Sequence, residues 1–288
     1  MNPFRIESLL AARLFLEPRL VGERLYFISD LSGRLSLYVM DVGGSVPEPL
    51  LPPDIALQNP HHLSGEPFAV LPELGKIIVL IDQDGDENYQ PMFIPLDGGP
   101  PEAIFGDRLA GCQVTCAEVD ANRNLAVLTV DRRTSSIYDA YLANLATGEL
   151  TPLGSSAYGN YAMAVSPEYG EIVLADFYTA GDTVLYRWQP GDAARTPLLG
   201  KPLDQRGPDE AVPLSGFAAG EFTKSGNLLL VTSLFQDTFG LGLTDVTNSG
   251  TVFPVEIIGP VDAGGGEWEL GDACGDGRSL RSCNSVGA

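Results

Sequence analysis

Basic residues are scarce in this sequence. Lys and Arg together number 17 against 38 Asp and Glu, so that the formal net charge is −21 at pH 7. Such a chain repels phosphates, which disfavours a sequence-independent grip on nucleic acid or on an anionic membrane surface. We therefore expect no nucleic-acid partner and no membrane partner. The acidic surface favours solubility, and it also suits cationic ligands such as peptide amino termini.

Long apolar runs are missing as well. No stretch approaches the roughly 18 apolar residues that a membrane span needs. At the amino terminus, Arg5, Glu7 and Arg13 interrupt the apolar residues before they reach the length of a signal-peptide core. We expect a soluble, cytoplasmic protein.

Metal-binding residue types are few. The only histidines are the adjacent His61 and His62, and the four cysteines are spaced as Cys112/Cys116 and Cys274/Cys283, neither of which is a CxxC pair. These spacings do not match a zinc knuckle or a redox motif. The sequence predicts free thiols, no zinc site and no cofactor.

A repeat is the clearest positive feature. Five apolar, strand-forming runs start 47 to 56 residues apart, at Leu25, Ile77, Leu125, Ile172 and Leu228. Each is followed by a polar turn, a second strand, a turn rich in glycine and a last short strand, and most are preceded by a further short strand. In the second strands, alternation such as Leu37 and Val39 against Ser36 and Tyr38 predicts one better-buried face. Four antiparallel strands at this period predict an all-β propeller of about five four-stranded blades.

Other architectures fit the sequence less well. A β-sandwich of irregular strands remains an alternative, whereas a parallel β-helix needs a far shorter period. A helical pattern is confined to residues 6–16. We place an N-terminal helix and lead-in strand in 1–24, the propeller in 25–260, and a separate tail in 261–288.

The repeat text resembles a known family. SDLSGRLSLYVMDVGG from Ser29, SPEYGEIVLADF from Ser166 and IDQDGDENYQPMFIPLDGG from Ile81 resemble the propeller repeats of prolyl oligopeptidase-family serine peptidases, particularly the acylaminoacyl peptidase and dipeptidyl aminopeptidase-like branch, and of the Tol-system propeller protein. The resemblance implies a propeller that caps an α/β-hydrolase domain and admits short peptides to it. Five repeats are fewer than that family's usual number, which implies an incomplete or open ring.

Catalytic motifs are absent from the sequence. It contains no G-x-S-x-G nucleophile elbow, and only His61 and His62 are available as a triad base. We expect the chain alone to be inactive and its function to be that of a non-catalytic peptidase cap, with short peptides and a hydrolase domain as the implied partners. A stand-alone interaction module and a calcium-dependent, lactonase-type propeller hydrolase remain alternatives.

The tail differs sharply in composition from the rest. From 261 onwards it is rich in Gly, Ser and Cys and has no strand-length apolar run. A disordered natural tail and a shifted reading frame that truncates a longer peptidase both predict this composition.

Four groups of residues are candidates for binding. The segment DQDGDEN supplies Asp82, Asp84, Asp86 and Asn88 as weak candidate calcium ligands, but its glycine is misplaced for an EF-hand and no bidentate glutamate follows, so that a polar turn between two strands is the favoured interpretation. The other three groups are the loop histidines, the Arg132 and Arg133 pair, and the aromatic residues near strand ends. The aromatic residues are Tyr158, Tyr161, Phe177 and Tyr178.

Overall fold

The computed structural model describes residues 13–83, 85–208, 210–236, 238–247 and 250–256. Their regular structure consists of β-strands and four short 3₁₀ turns. The strands form five four-stranded antiparallel sheets, which we number 1 to 5 in chain order. In every sheet, strands that neighbour each other in space also neighbour each other in sequence. This confirms the predicted number of sheets and the predicted four strands in each.

Sheet 1 is formed by β1 (Phe15–Val21), β2 (Arg24–Ser29), β3 (Ser36–Asp41) and β4 (Glu48–Pro49). Sheet 2 is formed by β5 (Phe68–Leu71), β6 (Lys76–Ile81), β7 (Gln90–Pro95) and β8 (Glu102–Ala103). Sheet 3 is formed by β9 (Gln113–Asp120), β10 (Leu125–Asp131), β11 (Tyr138–Asn144) and β12 (Glu149–Ser156). Sheet 4 is formed by β13 (Tyr161–Val165), β14 (Ile172–Thr179), β15 (Asp182–Trp188) and β16 (Thr196–Leu199). Sheet 5 is formed by β17 (Phe217–Phe222), β18 (Leu228–Thr232), β19 (Gly240–Thr244) and β20 (Phe253–Pro254).

The chain divides into two compact units, Met1–Pro152 and Leu153–Ala288, and the division falls within β12. In the first unit, one apolar cluster joins sheets 1 and 2, and a second joins sheets 2 and 3. In the second unit, one cluster joins sheets 4 and 5. The second strand of each sheet has consecutive apolar residues that are buried on both of its faces.

Two sequence-based expectations need correction. The predicted helix over 6–16 lies largely outside the described residues, and its last two residues, Phe15 and Leu16, begin β1 instead. Strand β1 pairs with β2 as the first strand of sheet 1, so that this sheet starts at Phe15 rather than at residue 25. The predicted tail, 261–288, lies outside the described residues.

The predicted one-sided burial of β3 is also wrong. Ser36 and Tyr38 are as fully buried as Leu37 and Val39. Leu37 and Val39 join the core that includes sheet 2, whereas the Tyr38 ring stacks on Phe27 of the neighbouring strand at 6.0 Å between centroids. Packing therefore covers both faces of this strand.

Within the described residues, no helix has the length and apolar character required to cross a bilayer.

Candidate functional site

A cleft opens at one end of sheet 2. It lies where the connection from β4 to β5, the turn from β6 to β7 and the connection from β8 to β9 come together, and its volume is about 750 Å³. In a four-stranded antiparallel sheet, the turn between the second and third strands lies at the same end as the segments that enter and leave the sheet. The topology of sheet 2 thus creates the cleft.

The charge of this cleft has one sign. Each of the three segments contributes a carboxylate, namely Asp54, Asp82 and Asp107, and none of the described residues that line the cleft is Lys or Arg. Apolar side chains such as Met92 and Phe105 line the rest. We call this feature the acidic cleft. A partly apolar cavity with unopposed carboxylates favours a ligand that carries a cationic group on an apolar body.

The negative charge around the cleft also affects the pKa of Tyr89. Its side chain is buried next to the turn from β6 to β7. Burial raises the pKa of the Tyr89 phenol above its ordinary value, and the nearby carboxylates of Asp82 and Glu87 raise it further. The acidic cleft therefore already disfavours the creation of another negative charge.

The predicted calcium loop forms hydrogen bonds within itself. Of its four candidates, Asp82 lines the acidic cleft and Asp84 lies outside the described residues. The Asp86 carboxylate accepts hydrogen bonds from the backbone N–H groups of Gln83 and Asn88 at 3.2 and 3.0 Å, and from the Asn88 side-chain amide at 3.0 Å. The backbone N–H of Asn88 is the main cause that lowers the pKa of Asp86. In this loop the Asp86 carboxylate is thus occupied by hydrogen bonds from the loop itself.

Calcium should therefore have little effect on this chain. Among the described residues, no group of three or more His, Cys, Asp or Glu side chains is placed to hold a metal ion. We expect about 5 mM calcium to change the thermal unfolding midpoint by less than about 1 °C, because only a ligand of the native state stabilises it. Differential scanning calorimetry with calcium and with magnesium as the control measures this. A saturable increase specific to calcium would contradict the expectation and support the lactonase-type alternative.

The loop histidines and the arginine pair do not form a site together. His61 and His62 are exposed at the end of the 3₁₀ turn Pro60–His62 and are not among the residues that line the acidic cleft. Arg132 forms an ion pair with Asp139 of β11. The Arg133 guanidinium donates to the side-chain oxygen of Asn88 at 3.1 Å. Both arginines thus have partners within the first unit.

The predicted aromatic residues form two separate pairs at one end of sheet 4. The Tyr158 and Tyr178 rings meet edge to face at 4.6 Å, and the Tyr161 and Phe177 rings lie 6.1 Å apart. Tyr161 and Phe177 lie on the face of sheet 4 that carries Ala175, whereas the Tyr178 hydroxyl lies 3.4 Å from that of Tyr186, on the opposite face. We call the four side chains the aromatic pairs. Tyr158, Tyr161 and Phe177 remain exposed although they are large and apolar. Exposed rings in contact with one another are a frequent feature of binding surfaces.

An ion-pair network holds the end of β14 that carries Phe177 and Tyr178. Arg195 makes a two-pronged contact with Asp176, with nitrogen to oxygen distances of 3.0 and 2.6 Å, and it also donates to the side-chain oxygen of Asn160. Its guanidinium lies over the Tyr186 ring at 3.8 Å. Because Asp176 directly precedes Phe177, this network fixes the backbone from which Phe177 and Tyr178 project.

Several of these residues were not found from the sequence. Asp54 and Asp107 occur in short polar segments that carry no motif, and Arg195 lies in an ordinary loop between β15 and β16. The available signal was topological, since the two segments that carry these aspartates enter and leave sheet 2 at the end where Asp82 lies.

The folds of solved proteins are consistent with this architecture. A puromycin-hydrolyzing peptidase from Mycobacterium tuberculosis matches 86% of this chain and 38% of its own, with a TM-score of 0.61 and 10% identity. A prolyl endopeptidase matches 82% of this chain and 35% of its own, with a TM-score of 0.58 and 11% identity. In both, the matched part is the propeller region. The chain has a β-propeller fold. Its five four-stranded sheets are blades of that fold.

A chain that is not described as a peptidase is also similar. The putative TolB from Agrobacterium tumefaciens matches 84% of this chain and 80% of its own, with a TM-score of 0.50 and 16% identity. The present chain thus spans little more than a third of the two peptidases but most of the TolB chain. Neither a protein-family model nor a curated protein sequence matches the chain.

Proposed function

We propose that this chain is the non-catalytic propeller cap of a cytoplasmic serine peptidase and that it selects short peptides for a hydrolase domain that it does not itself contain. One observation carries the proposal: the chain aligns over more than four-fifths of its length with the propeller region of peptidases, with TM-scores of 0.61 and 0.58. The absence of a nucleophile elbow from the sequence is consistent with a role in selection rather than in bond cleavage.

The acidic cleft supplies a physical basis for the selection. A peptide amino terminus carries a positive charge next to an apolar or polar side chain, and the carboxylates of Asp54, Asp82 and Asp107 face such a group with no lining cation to oppose it. The acidic cleft has a volume of about 750 Å³, which admits a few peptide residues and excludes a folded domain. We propose that the cleft holds the free amino end of the substrate.

Two steps test this function. The encoding locus is first read beyond codon 288 in all frames for a G-x-S-x-G elbow followed by an aspartate and a histidine, and the longer product is then assayed on short peptide p-nitroanilides. We expect the longer product to cleave them and chain 1–288 alone to be inactive. The absence of an elbow from every frame would overturn the cap proposal.

A variant tests the role of the cleft in the longer product. Asp54→Asn combined with Asp107→Asn should raise KM about tenfold for peptides with a free amino terminus, because the uniform binding of that charge is lost. KM for the same peptides with acetylated amino termini serves as the control and should not change. Equal changes for both peptides would contradict capture of the amino terminus.

The TolB match favours a second candidate, a propeller that binds a protein partner without a catalytic domain. That match covers 80% of the TolB chain, whereas the matches to the puromycin-hydrolyzing peptidase and the prolyl endopeptidase cover 38% and 35% of theirs. A clean stop after codon 288 with no hydrolase downstream would make this the better function.

A further inference from the structure

The three carboxylates of the acidic cleft belong to separate segments. Asp54 lies in the connection from β4 to β5, Asp82 directly follows β6, and Asp107 lies in the 3₁₀ turn Gly106–Leu109. Among the described residues, no group of three or more His, Cys, Asp or Glu side chains is placed to hold a metal ion, so these three carboxylates do not converge on one point. Such an arrangement suits a ligand with two separated positive charges better than a ligand with one.

The charge of the cleft is not neutralised from within. No Lys or Arg is among the described residues that line it. Arg108, although it follows Asp107 in the chain, donates to the backbone oxygens of Phe105 and Gly148. Asp54 and Asp107 are themselves exposed, so that a ligand reaches them from solvent.

An apolar wall joins the carboxylates. Ile55, Met92 and Leu109 are among the residues that form it. Gln90 also lines the cleft, and its side-chain N–H donates to the backbone oxygen of Cys112 at 2.5 Å, so that the amide oxygen is left as a hydrogen-bond acceptor. An aliphatic stem that ends in a charge packs along such a wall while its charged end reaches a carboxylate.

The first residue of a peptide decides how many positive charges enter the cleft. A peptide that begins with an apolar residue brings only its α-amino charge. A peptide that begins with lysine or arginine brings a second charge, which a flexible aliphatic stem carries away from the α-amino group. Two charges at the ends of an apolar stem match carboxylates that are separated by an apolar wall.

We propose that the acidic cleft selects peptides whose first residue is lysine or arginine. The α-amino group lies at one of the three carboxylates, the side-chain charge lies at another, and the aliphatic stem packs along the wall near Met92. This proposal rests on the proposed function, because it names the substrate class of the same cleft.

The test measures binding to chain 1–288 by isothermal titration calorimetry at low salt, so that it does not depend on a hydrolase domain. The probe is the tetrapeptide amide Lys-Ala-Ala-Tyr. One comparison peptide begins with norleucine, which keeps the stem and the α-amino group without the second charge. The other is the probe with an acetylated α-amino group. We expect the probe to bind at least about tenfold more tightly than either one, and its affinity to fall as salt is added.

The outcomes separate this proposal from the function on which it rests. Equal binding of the lysine and norleucine peptides, with loss of affinity on acetylation, would overturn the preference for a basic residue and leave capture of the amino terminus intact. No binding of any peptide up to millimolar concentration would overturn both. Cadaverine carries the same two ammonium groups on the same stem without a peptide chain. Equal affinity for cadaverine would overturn the selection of peptides.

Variants then locate the site. Asp54→Asn combined with Asp107→Asn should weaken binding of the lysine peptide at least about tenfold and remove its advantage over the norleucine peptide. The control is Glu73→Gln combined with Asp97→Asn, which removes two exposed carboxylates from the turns at the opposite end of sheet 2 and should retain both. An equal loss in the control would show that net charge rather than the cleft attracts the peptide, and would overturn the proposal.

Discussion

Replacing Gly65 with alanine should destabilise the first unit by about 3 to 4 kcal/mol. Gly65 adopts φ = +79°, a conformation that costs an L-residue roughly 1 to 2 kcal/mol. A β-carbon there would also lie 2.1 Å from the backbone oxygen of Cys116, which accepts a hydrogen bond from the Glu66 N–H. Moving either the Gly65 or the Cys116 backbone away to relieve this clash would break the hydrogen bond between Glu66 and Cys116. Urea unfolding followed by far-ultraviolet circular dichroism measures the change.

A second glycine provides the control for this substitution. Gly75 also has a positive φ, +64°, but a β-carbon there would meet no atom within 4 Å. Gly75→Ala should therefore cost only the backbone term, about 1 to 2 kcal/mol. Equal losses for the two variants would show that the close approach to Cys116 contributes nothing.

Replacing Arg195 with leucine should destabilise the second unit by about 3 to 5 kcal/mol, because it leaves the Asp176 carboxylate buried without its cation. The Asp176 side chain is 2% exposed, and both of its oxygens accept from Arg195. Trp188 lies buried in β15 of the same unit, and its fluorescence reports unfolding there. Because the only other tryptophan is Trp268, the measurement is made in a Trp268→Phe background.

An exposed ion pair of the same unit is the matched control. Lys201 and Glu210 are 2.6 Å apart, but their side chains are 41% and 36% exposed. Lys201→Met should change the free energy of unfolding by less than about 1 kcal/mol. Adding Asp176→Asn to Arg195→Leu should restore part of the loss, since the buried charge is then removed. No recovery would mean that the packing of Arg195 on Tyr186, rather than charge, carries its effect.

The strands of this protein are predictable because their signals are local. Apolar runs that start at Leu25, Ile77, Leu125 and Ile172 became β2, β6, β10 and β14 with nearly the same starts. Glycine turns between β3 and β4 use the positive φ values of Gly43 and Gly44. Residues 15 and 16 were misassigned because a short apolar stretch fits helical spacing as well as a strand, and only pairing with β2 decides between them.

The candidate sites are less predictable because they depend on distant contacts. Asp82 was found through its acidic motif, but the cleft also needs Asp54 and Asp107, which no motif marks. The aromatic residues were visible in the sequence, yet the sequence gives no indication that Arg195 supports them from 19 residues beyond Asp176. Side-chain exposure, which distinguishes a binding surface from a core, emerges only when the sheets pack.

The sequential strand order within each sheet affects how the protein forms during synthesis. Every strand pairs with a neighbour that the ribosome has just made or is about to make, so that a complete sheet needs only 35 to 44 consecutive residues. Loop closure is inexpensive over such short separations. We therefore expect the sheets to assemble one after another from the amino terminus, each new one completing the exposed apolar face of the sheet before it within its unit.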